Sequence, residues 1–435
     1  MTENPKRSLS DFPEEIITEI LVRLPVKSVL QCKSVCKPWL HTISNPNFIK
    51  SHLHHAITAS RYDPTLLNII NVEQLAYLAA SDRLFHYADP APAFLQMQQR
   101  QRRRRQLVNQ ALDDADAQDL SGSPLQFARV DIPGGLKLSR FVGCCNGIIC
   151  LCNFGNGVYF WNPSIKMFRQ IVFTNPGRKR SAIVGFGHDR ISNEYKLLRF
   201  VYERRDDVVP MAKVDYVNAG YCREFQGPNL KTQICPVEKS NIVVNNVLYF
   251  FGGDQLVSFD LHNEVFGLVV LPNFIQRKMS NVMDFEGSVA IVFESGTGVD
   301  LWTLNTVSGV FSWNKKFSIE YGLDDLDTEI WLSCYLGAKQ FYGWKSLNGN
   351  YFVYEILYDY EKKNIKYYGL REEYVNIYQT SEESEKIISA KLEDSMVPVH
   401  AAFKYTETLV SLDRFEPVEN ARNEQSNSWG FIHES

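Results

Sequence analysis

Apolar residues in the first fifty positions recur at helical spacing. In the first predicted helix they lie three or four positions apart: Ile16, Ile17, Ile20, Leu21 and Leu24. Asp11 can cap this helix, with Glu14 three residues later completing a capping box, and Pro25 ends it. A short second helix carries Val29 and Leu30. A third, starting near Ser34 and ending at Asn45-Pro46, has Pro38 in its first turn and contains Val35, Cys36, Trp39, Leu40 and Ile43.

These helices carry more apolar residues than one buried face can hold. A segment of about 40 residues rarely folds alone without disulfides, a metal or a partner, and this one has neither a paired-cysteine framework nor a metal-ligand set. Two interpretations follow. The surplus packs on a second domain of the same chain, or it is a docking surface for helices of another protein, with Trp39 as an aromatic anchor.

Beyond about residue 60 the pattern changes to short apolar runs between Gly, Asn, Asp and Pro turns, which predicts strands. The predicted strands are 147–152, 158–161, 183–186, 247–251, 256–259, 289–293, 299–304 and 351–357. Many of these runs are apolar at consecutive positions. That pattern suits strands covered on both faces, as in stacked sheets.

A degenerate unit recurs among these strands: a strand ending in an aromatic residue, a polar turn, then a second aromatic or apolar strand. Its copies start at Phe160, Ser258, Leu301 and Leu357, so successive starts lie 98, 43 and 56 residues apart. The first interval is roughly twice a kelch-like period of about 50 residues, and each of the other two is roughly one such period. The period favours a β-propeller, which leaves few strand edges exposed, but leaves the blade number open.

Composition and charge narrow the class of protein. The 435 residues include 46 basic and 50 acidic side chains, a net charge of −4, which argues against a general nucleic-acid binder. Aromatic residues make up 13%, as expected for a β-rich chain. The first residues are polar, without an apolar core of signal-peptide length, and there is no apolar run of about 18 residues, so we expect no membrane association. With nine cysteines in no disulfide spacing, the chain reads as cytoplasmic, nuclear or both.

Residue types that could carry chemistry have simpler structural interpretations. Four cysteines fall within nine residues, but without spaced Cys-x-x-Cys pairs, so buried structural thiols are favoured over a metal site: Cys144, Cys145, Cys150 and Cys152. His52, His54 and His55 read as a surface cluster. No hydrolase, zinc-protease or nucleotide-binding motif occurs. We therefore expect no catalytic residue, metal or cofactor, and no enzymatic activity of the chain itself.

A strongly charged segment interrupts the first part of the strand region. Five arginines lie at Arg100, Arg102, Arg103, Arg104 and Arg105, and aspartates follow between 113 and 119. The segment 93–122 has few helix breakers, so we expect a solvated insertion in the first blade. The alternative is a nuclear-import signal or a patch that binds an acidic partner.

The N-terminal helices resemble an F-box. The resemblance rests on 9–30, 33–39 and 43–48, especially Arg-Leu-Pro-Val-Lys-Ser (23–28) and Ser-Val-Cys-Lys-Pro-Trp (34–39), which are typical of plant members. It implies binding to the Skp-type adaptor of a cullin-RING ubiquitin ligase. The contacts it implies are Phe12, Pro13, Ile16, Ile20, Leu24, Pro25, Leu30, Val35, Cys36 and Trp39. The chain departs from the family at Phe12, where Leu is usual, and at Gln31-Cys32, which replaces a common Arg-Phe pair.

The strand region resembles the plant F-box-associated domain, also described as F-box/kelch-repeat. The matching segments are 143–151, 160–164, 185–197, 259–266, 299–302 and 312–313, whereas 211–233 departs from the usual blade and is left unassigned. The resemblance implies a multidomain chain: an all-α F-box at 8–55, an all-β propeller at 60–415 and a polar, frayed tail at 416–435.

In this family the propeller recruits the protein to be ubiquitinated. The leading hypothesis is therefore the substrate-recognition subunit of an SCF-type (Skp–cullin–F-box) ligase, with an unidentified target on the propeller. Two alternatives stay open at this point. The propeller could act as an independent small-molecule or glycan-binding domain, or the chain could be a nuclear regulator that uses the arginine run.

Overall fold

The computed structural model describes residues 13–59, 65–70, 140–152, 157–172, 180–202, 209–230, 241–252, 255–271, 279–294, 298–307, 310–320, 329–337, 339–347, 352–370, 400–415 and 430–432. Four helices come first, and we call them together the helical module: α1 (Glu14–Val22), α2 (Val26–Cys32), α3 (Lys37–Ser44) and α4 (Pro46–Ala59). The strand region follows, with a 3-10 helix at Pro163–Ile165.

The helix boundaries differ from the sequence expectations for identifiable reasons. The predicted capping box is wrong: Pro13 is the N-cap of α1, and the Glu14 carboxylate accepts a hydrogen bond from the Thr42 hydroxyl, 3.3 Å away. The third helix begins at Lys37 because the Pro38 ring, lying in its first turn, blocks helix further upstream. The predicted end of the third helix at Asn45-Pro46 is confirmed, because α3 stops at Ser44, and Pro46 also starts α4, since proline fits the first turn of a helix.

The strands within the described residues form six antiparallel sheets. Consecutive groups of four build β2–β5, β6–β9, β10–β13, β14–β17 and β18–β21, while β1 pairs with β22 in a two-stranded sheet. The strand bounds are β1 Thr65–Ile70, β2 Arg140–Cys145, β3 Ile148–Cys152, β4 Gly157–Asn162, β5 Met167–Val172, β6 Arg180–Asp189, β7 Glu194–Tyr202, β8 Met211–Tyr216, β9 Tyr221–Gln226, β10 Asn241–Val244, β11 Val247–Gly252, β12 Gln255–Asp260, β13 Phe266–Val269, β14 Met279–Phe285, β15 Ser288–Glu294, β16 Gly298–Val307, β17 Val310–Glu320, β18 Glu329–Gly337, β19 Gln340–Leu347, β20 Phe352–Asp359, β21 Asn364–Leu370, β22 His400–Tyr405 and β23 Gly430–Ile432.

The five sheets built from four consecutive strands are the blades of a five-bladed propeller. The first strand of each blade contacts the first strand of the next, in the order β2, β6, β10, β14 and β18. The gap between the fifth blade and the first is filled by β22, which contacts both β18 and β2. We call the β1–β22 pair the closing sheet, because it joins the two ends of the strand region and completes the ring.

The propeller predicted from the strand pattern is confirmed, and the packing explains that pattern. The apolar cores lie between neighbouring blades, so each strand presents apolar residues to both sides. In β3, for example, Cys150 packs toward the second blade, whereas Ile149 and Leu151 pack toward the closing sheet. Consecutive apolar residues are therefore buried on opposite faces of one strand.

The repeated unit of the sequence corresponds to the third strand of a blade and the turn after it. Its copies begin in β4, β12, β16 and β20. The double interval between the first two copies contains the second blade, where the sequence left 211–233 unassigned. That segment includes β8 and β9, and the outward side chains of β9 are polar or exposed, which weakens its apolar pattern. The expected frayed tail also differs: Gly430–Ile432 pairs with β5, against which Phe431 and Ile432 are aligned.

Asparagine side chains join neighbouring blades near the ring centre. The first strand of four blades carries a bulge, which turns backbone carbonyls away from the ladder. Asn281 Nδ2 in the fourth blade donates to Leu332 O at 3.0 Å and to Ser333 O at 2.9 Å in the fifth. Asn241 Nδ2 in the third blade donates to Val142 O in the first blade at 2.6 Å and to Val184 O in the second at 3.0 Å. The asparagines thus satisfy polar groups that the bulges would otherwise leave unpaired.

A buried ion pair joins the second and third blades. Lys196 Nζ on β7 lies 2.9 Å from Glu264 Oε1, in the turn between β12 and β13, and donates to the Leu261 carbonyl. The Tyr216 hydroxyl donates to the same carboxylate, and Arg223 Nη1 lies 2.7 Å from Glu264 Oε2. Because each buried charge has several partners, the desolvation cost is offset, and loss of one partner would be strongly destabilising.

Replacing Asn281 by alanine should lower the free energy of unfolding of the propeller by about 1–3 kcal/mol, because two carbonyls lose their donor in a partly buried position. Chemical denaturation followed by intrinsic fluorescence measures this change. The matched control is Asn314→Ala on the outer strand β17, where the side chain is exposed and a change within about 0.5 kcal/mol is expected. Equal effects of the two variants would contradict the bridging role of Asn281.

Candidate interaction surface

The helical module exposes an apolar surface. Ile16 and Ile20, one helical turn apart on α1, are 48% and 54% exposed, and Val35, in the turn before α3, is 61% exposed. Leu40 on α3 is also exposed. Large apolar side chains left in water on so small a module indicate a surface that another molecule covers.

The predicted contact residues fall into three groups. Six are exposed: Pro13, Ile16, Ile20, Pro25, Val35 and Cys36. Leu24, Leu30 and Trp39 are half-buried, because each also packs against the core of the module. Phe12 lies outside the described residues. Leu40 is exposed as well but is not among the predicted contacts, although its place one position after Trp39 in an apolar-rich helix is a signal that the sequence contains.

The opposite face of the same helices forms a core. Its buried residues are Leu21, Val22, Val26, Val29, Ile43 and Phe48 from the module, together with Leu409 from the far end of the chain. Ile165 of the 3-10 helix packs against this core as well. One face of the helices therefore packs on the second domain, as the first interpretation predicts. The other face remains exposed, and its role as a docking surface stays a prediction.

The segment 406–415, which follows β22 and which we call the strap, carries Leu409 to the module. Asn162 Nδ2 donates to Val410 O at 2.9 Å and to Thr408 O at 3.2 Å, and the Ser164 hydroxyl accepts from the Thr408 N–H. Gly147 lies under the strap with φ +73°, and a Cβ there would lie 2.2 Å from Thr408 Cγ2. The strap is thus fixed to the first blade by hydrogen bonds between its backbone and the side chains of Asn162 and Ser164. It also packs so closely on Gly147 that no side chain fits at that position.

His52 on α4 is buried, so the prediction that it belongs to a surface cluster is wrong. Its side chain is 2% exposed, and Nε2 lies 2.9 Å from the carbonyl oxygen of Leu24, so the Nε2–H tautomer donates there. Nδ1 has no hydrogen-bond partner among the described residues. Burial lowers the pKa of His52 below its ordinary value. The hydrogen bond to Leu24 opposes this shift in part, His55 adds slightly to it, and Glu407 slightly opposes it. The folded module therefore favours the neutral form of the His52 ring.

The cysteines of the first blade are structural in this fold. Cys150 and Cys152 are buried on one face of β3, as predicted. Burial raises the pKa of Cys144 to about 12, so the reactive thiolate is disfavoured. None of the described cysteines forms a disulfide. Within the described ranges, no three His, Cys, Asp or Glu side chains are grouped to hold a metal ion.

Two other sequence expectations are not tested by the structure. The arginines at 100 and 102–105 lie outside the described residues, as does the whole insertion predicted at 93–122.

Among the helices that are described, none combines the length and the apolar character needed to cross a membrane.

Comparison with known protein families divides the chain in the same way as the fold. Residues 9–51 match the family model of the F-box domain, and residues 105–390, well over half of the chain, match that of the F-box associated beta propeller domain. The closing sheet and the strap lie outside both matches.

Individual relatives agree with these matches. An F-box/kelch-repeat protein of Arabidopsis thaliana is 23% identical over 335 residues, which cover 74% of this chain and 83% of the relative. An F-box protein of the same plant is 21% identical over 363 residues, covering 74% and 77%. Among solved structures, a post-proline cleaving enzyme from Rickettsia typhi has 8% identity and a TM-score of 0.32, covering 54% of this chain and 36% of its own. That likeness is too low to support an argument.

The neutral His52 gives the module a measurable pH dependence. Its pKa is lower in the folded protein than in the unfolded chain, so the unfolded state binds more protons as the pH falls below the ordinary value of 6.5. The stability of the module should therefore be full above that value and decrease as the pH falls toward the lowered pKa. Thermal unfolding of His52→Gln, which keeps an amide donor for Leu24 O, should show a weaker decrease. Identical pH profiles for the two proteins would contradict this role.

Proposed function

Because the chain belongs to the plant F-box proteins that carry an F-box-associated β-propeller, we propose that it is the substrate-recognition subunit of an SCF-type ubiquitin ligase. F-box domains generally bind Skp1-type adaptors, and such an adaptor is the partner we propose for the helical module. Through it the chain would join a cullin and a RING subunit.

The observation that carries this proposal is the exposed apolar face of α1 and α3. The module already has a core on its other face, so Ile16, Ile20 and Val35 are not needed for its folding. Burying such side chains against helices of an adaptor would contribute roughly 25 cal/mol per Å² of apolar surface removed from water. The half-buried Trp39 is the type of aromatic residue that dominates interfaces of this kind.

In this proposal the chain performs no covalent chemistry. The propeller holds a target protein, and the module holds the ligase, so the target's lysines stay at high effective concentration near the charged conjugating enzyme. The domain limits we propose are 8–55 for the F-box, 60–415 for the propeller and 416–435 for a C-terminal tail. Ligases of this type work in the cytoplasm and nucleus, which fits cysteines that form no disulfide among the described residues.

Ile20→Asp should weaken binding of a purified plant Skp-type adaptor by about 30-fold or more, because it would place a charge in the apolar contact. Titration calorimetry or surface plasmon resonance measures the Kd. Ile20 is exposed, so the variant should unfold at the same temperature as the wild type. The matched control is Ile191→Asp, an isoleucine that is also exposed and lies in the turn between β6 and β7 of the propeller; it should leave the Kd unchanged.

Adaptor binding by Ile20→Asp at wild-type affinity would exclude the α1 face as the contact. Absence of binding by the wild type would exclude the proposed function itself.

The target should become visible when its degradation is blocked. Proximity labelling in plant cells with the proteasome inhibited should mark a protein that the wild type and Ile20→Asp capture equally, since the propeller is intact in both. Without the inhibitor, that protein should be less abundant in wild-type cells than in Ile20→Asp cells. A captured protein whose level is the same in both would be a propeller ligand, but not a substrate of the ligase.

A further inference from the structure

The core of the helical module is incomplete without the C-terminal strap. Four short helices bury few residues of their own, and Leu409, only 5% exposed, lies among Leu21, Val29 and Phe48. Domains of this size are marginally stable because the surface they bury is a small fraction of the chain. One fully buried leucine is therefore a large share of what holds the module together.

Leu409 reaches the module only by way of the ring closure. It lies four residues after Tyr405, the last residue of β22, and Tyr405 is aligned with Thr65, the first residue of β1. On the other strand of the closing sheet, β1 begins six residues after the end of α4. The module is therefore attached to the closing sheet on both sides, by α4 leading into β1 and by β22 leading into the strap.

The strap is held to the first blade independently of the module. Leu412 and Phe415 are buried in the core between the first and second blades. Asn162 bonds two strap carbonyls, and Ser164 Oγ lies 2.6 Å from the hydroxyl of Tyr405. These contacts fix the backbone on both sides of Leu409. The position of this leucine is therefore determined by the propeller.

We propose that the strap makes the fold of the helical module conditional on a closed propeller: only when β22 is paired and residues 406–415 are anchored does Leu409 complete the module core. An open ring would then display no intact apolar face on α1 and α3. The consequence for adaptor binding rests on the function proposed above, but the coupling itself does not.

Hydrogen exchange of the full-length protein tests the coupling without any partner. Leu409→Ala should speed amide exchange in α1–α3 by roughly 30-fold or more, while exchange in the strands of the blades changes little. The matched control is Leu256→Ala, a fully buried leucine that packs between the third and fourth blades, away from the strap. It should speed exchange in those two blades and leave exchange in α1–α3 close to that of the wild type.

A second pair of variants tests whether the coupling passes through the strap. Neither substitution lies in the helical module. Asn162→Ala removes two donor contacts to strap carbonyls and should also speed exchange in α1–α3. Asn281→Ala removes two equivalent contacts between the fourth and fifth blades and should leave the helices protected. Unchanged helix exchange in both Leu409→Ala and Asn162→Ala would overturn the proposal, and so would equal helix exchange in the two asparagine variants.

Adaptor binding separates this proposal from the proposed function. If the wild type binds a Skp-type adaptor, linkage requires that the adaptor slow exchange in residues 406–415, and Leu409→Ala should bind more weakly. Binding without any protection of the strap would count against the coupling and leave the proposed function standing. No binding at all would exclude the proposed function, while the exchange results on the protein alone would still decide the coupling.

Discussion

The pairing of β1 with β22 is the constraint on which the rest of the fold depends. A ring of blades built from one chain must join its two ends, and here six aligned residue pairs, from Thr65–Tyr405 to Ile70–His400, make that joint. The closing sheet has two strands instead of four, yet it fills the space between the fifth blade and the first. Without it the apolar core between the first blade and the closing sheet would face water.

The interior of the ring shows how the fold accommodates polar groups in tight packing. Bulges in the first strands of the blades turn carbonyls out of the ladders, and asparagine side chains from neighbouring blades satisfy them. Between the second and third blades a lysine and a glutamate are buried together with several further partners. Such groups are costly when left unpaired, so they favour one arrangement of the blades over others. A recognition surface built on such a ring is held in a defined geometry.

The helical module shows how one small domain serves two contacts. Its inner face depends on the propeller through Leu409 and Ile165, whereas its outer face remains apolar and exposed. The same strap that completes the module also packs into the first blade, so the module and the propeller share one continuous set of contacts. For a subunit that presents a target to a ligase, this continuity would fix the position of the target relative to the conjugating enzyme.

Local patterns in the sequence determined the class of each region. Helical spacing identified α1, strand-length apolar runs identified eight strands, and the recurring aromatic unit marked the third strand of four blades. The exposed positions Ile16, Ile20 and Val35 could also be named, because too many apolar residues fell on short helices. Two predictions from pattern alone failed. β9 was not recognised as a strand, because its outer side faces water and it therefore lacks an apolar run. His52 was placed on the surface, because the contacts that bury it come from residues outside α4.

Only the tertiary structure decided how the ends of the chain meet. Nothing near Leu409 in the sequence indicates that it completes a core formed by residues 21–48, since the two are separated by the whole propeller. The closing sheet is equally non-local, because β1 and β22 are more than 300 residues apart. Periodicity reports the environment of a residue relative to its neighbours in the chain. Closure of a ring is a property of its two ends together, and becomes visible only when every blade between them is in place.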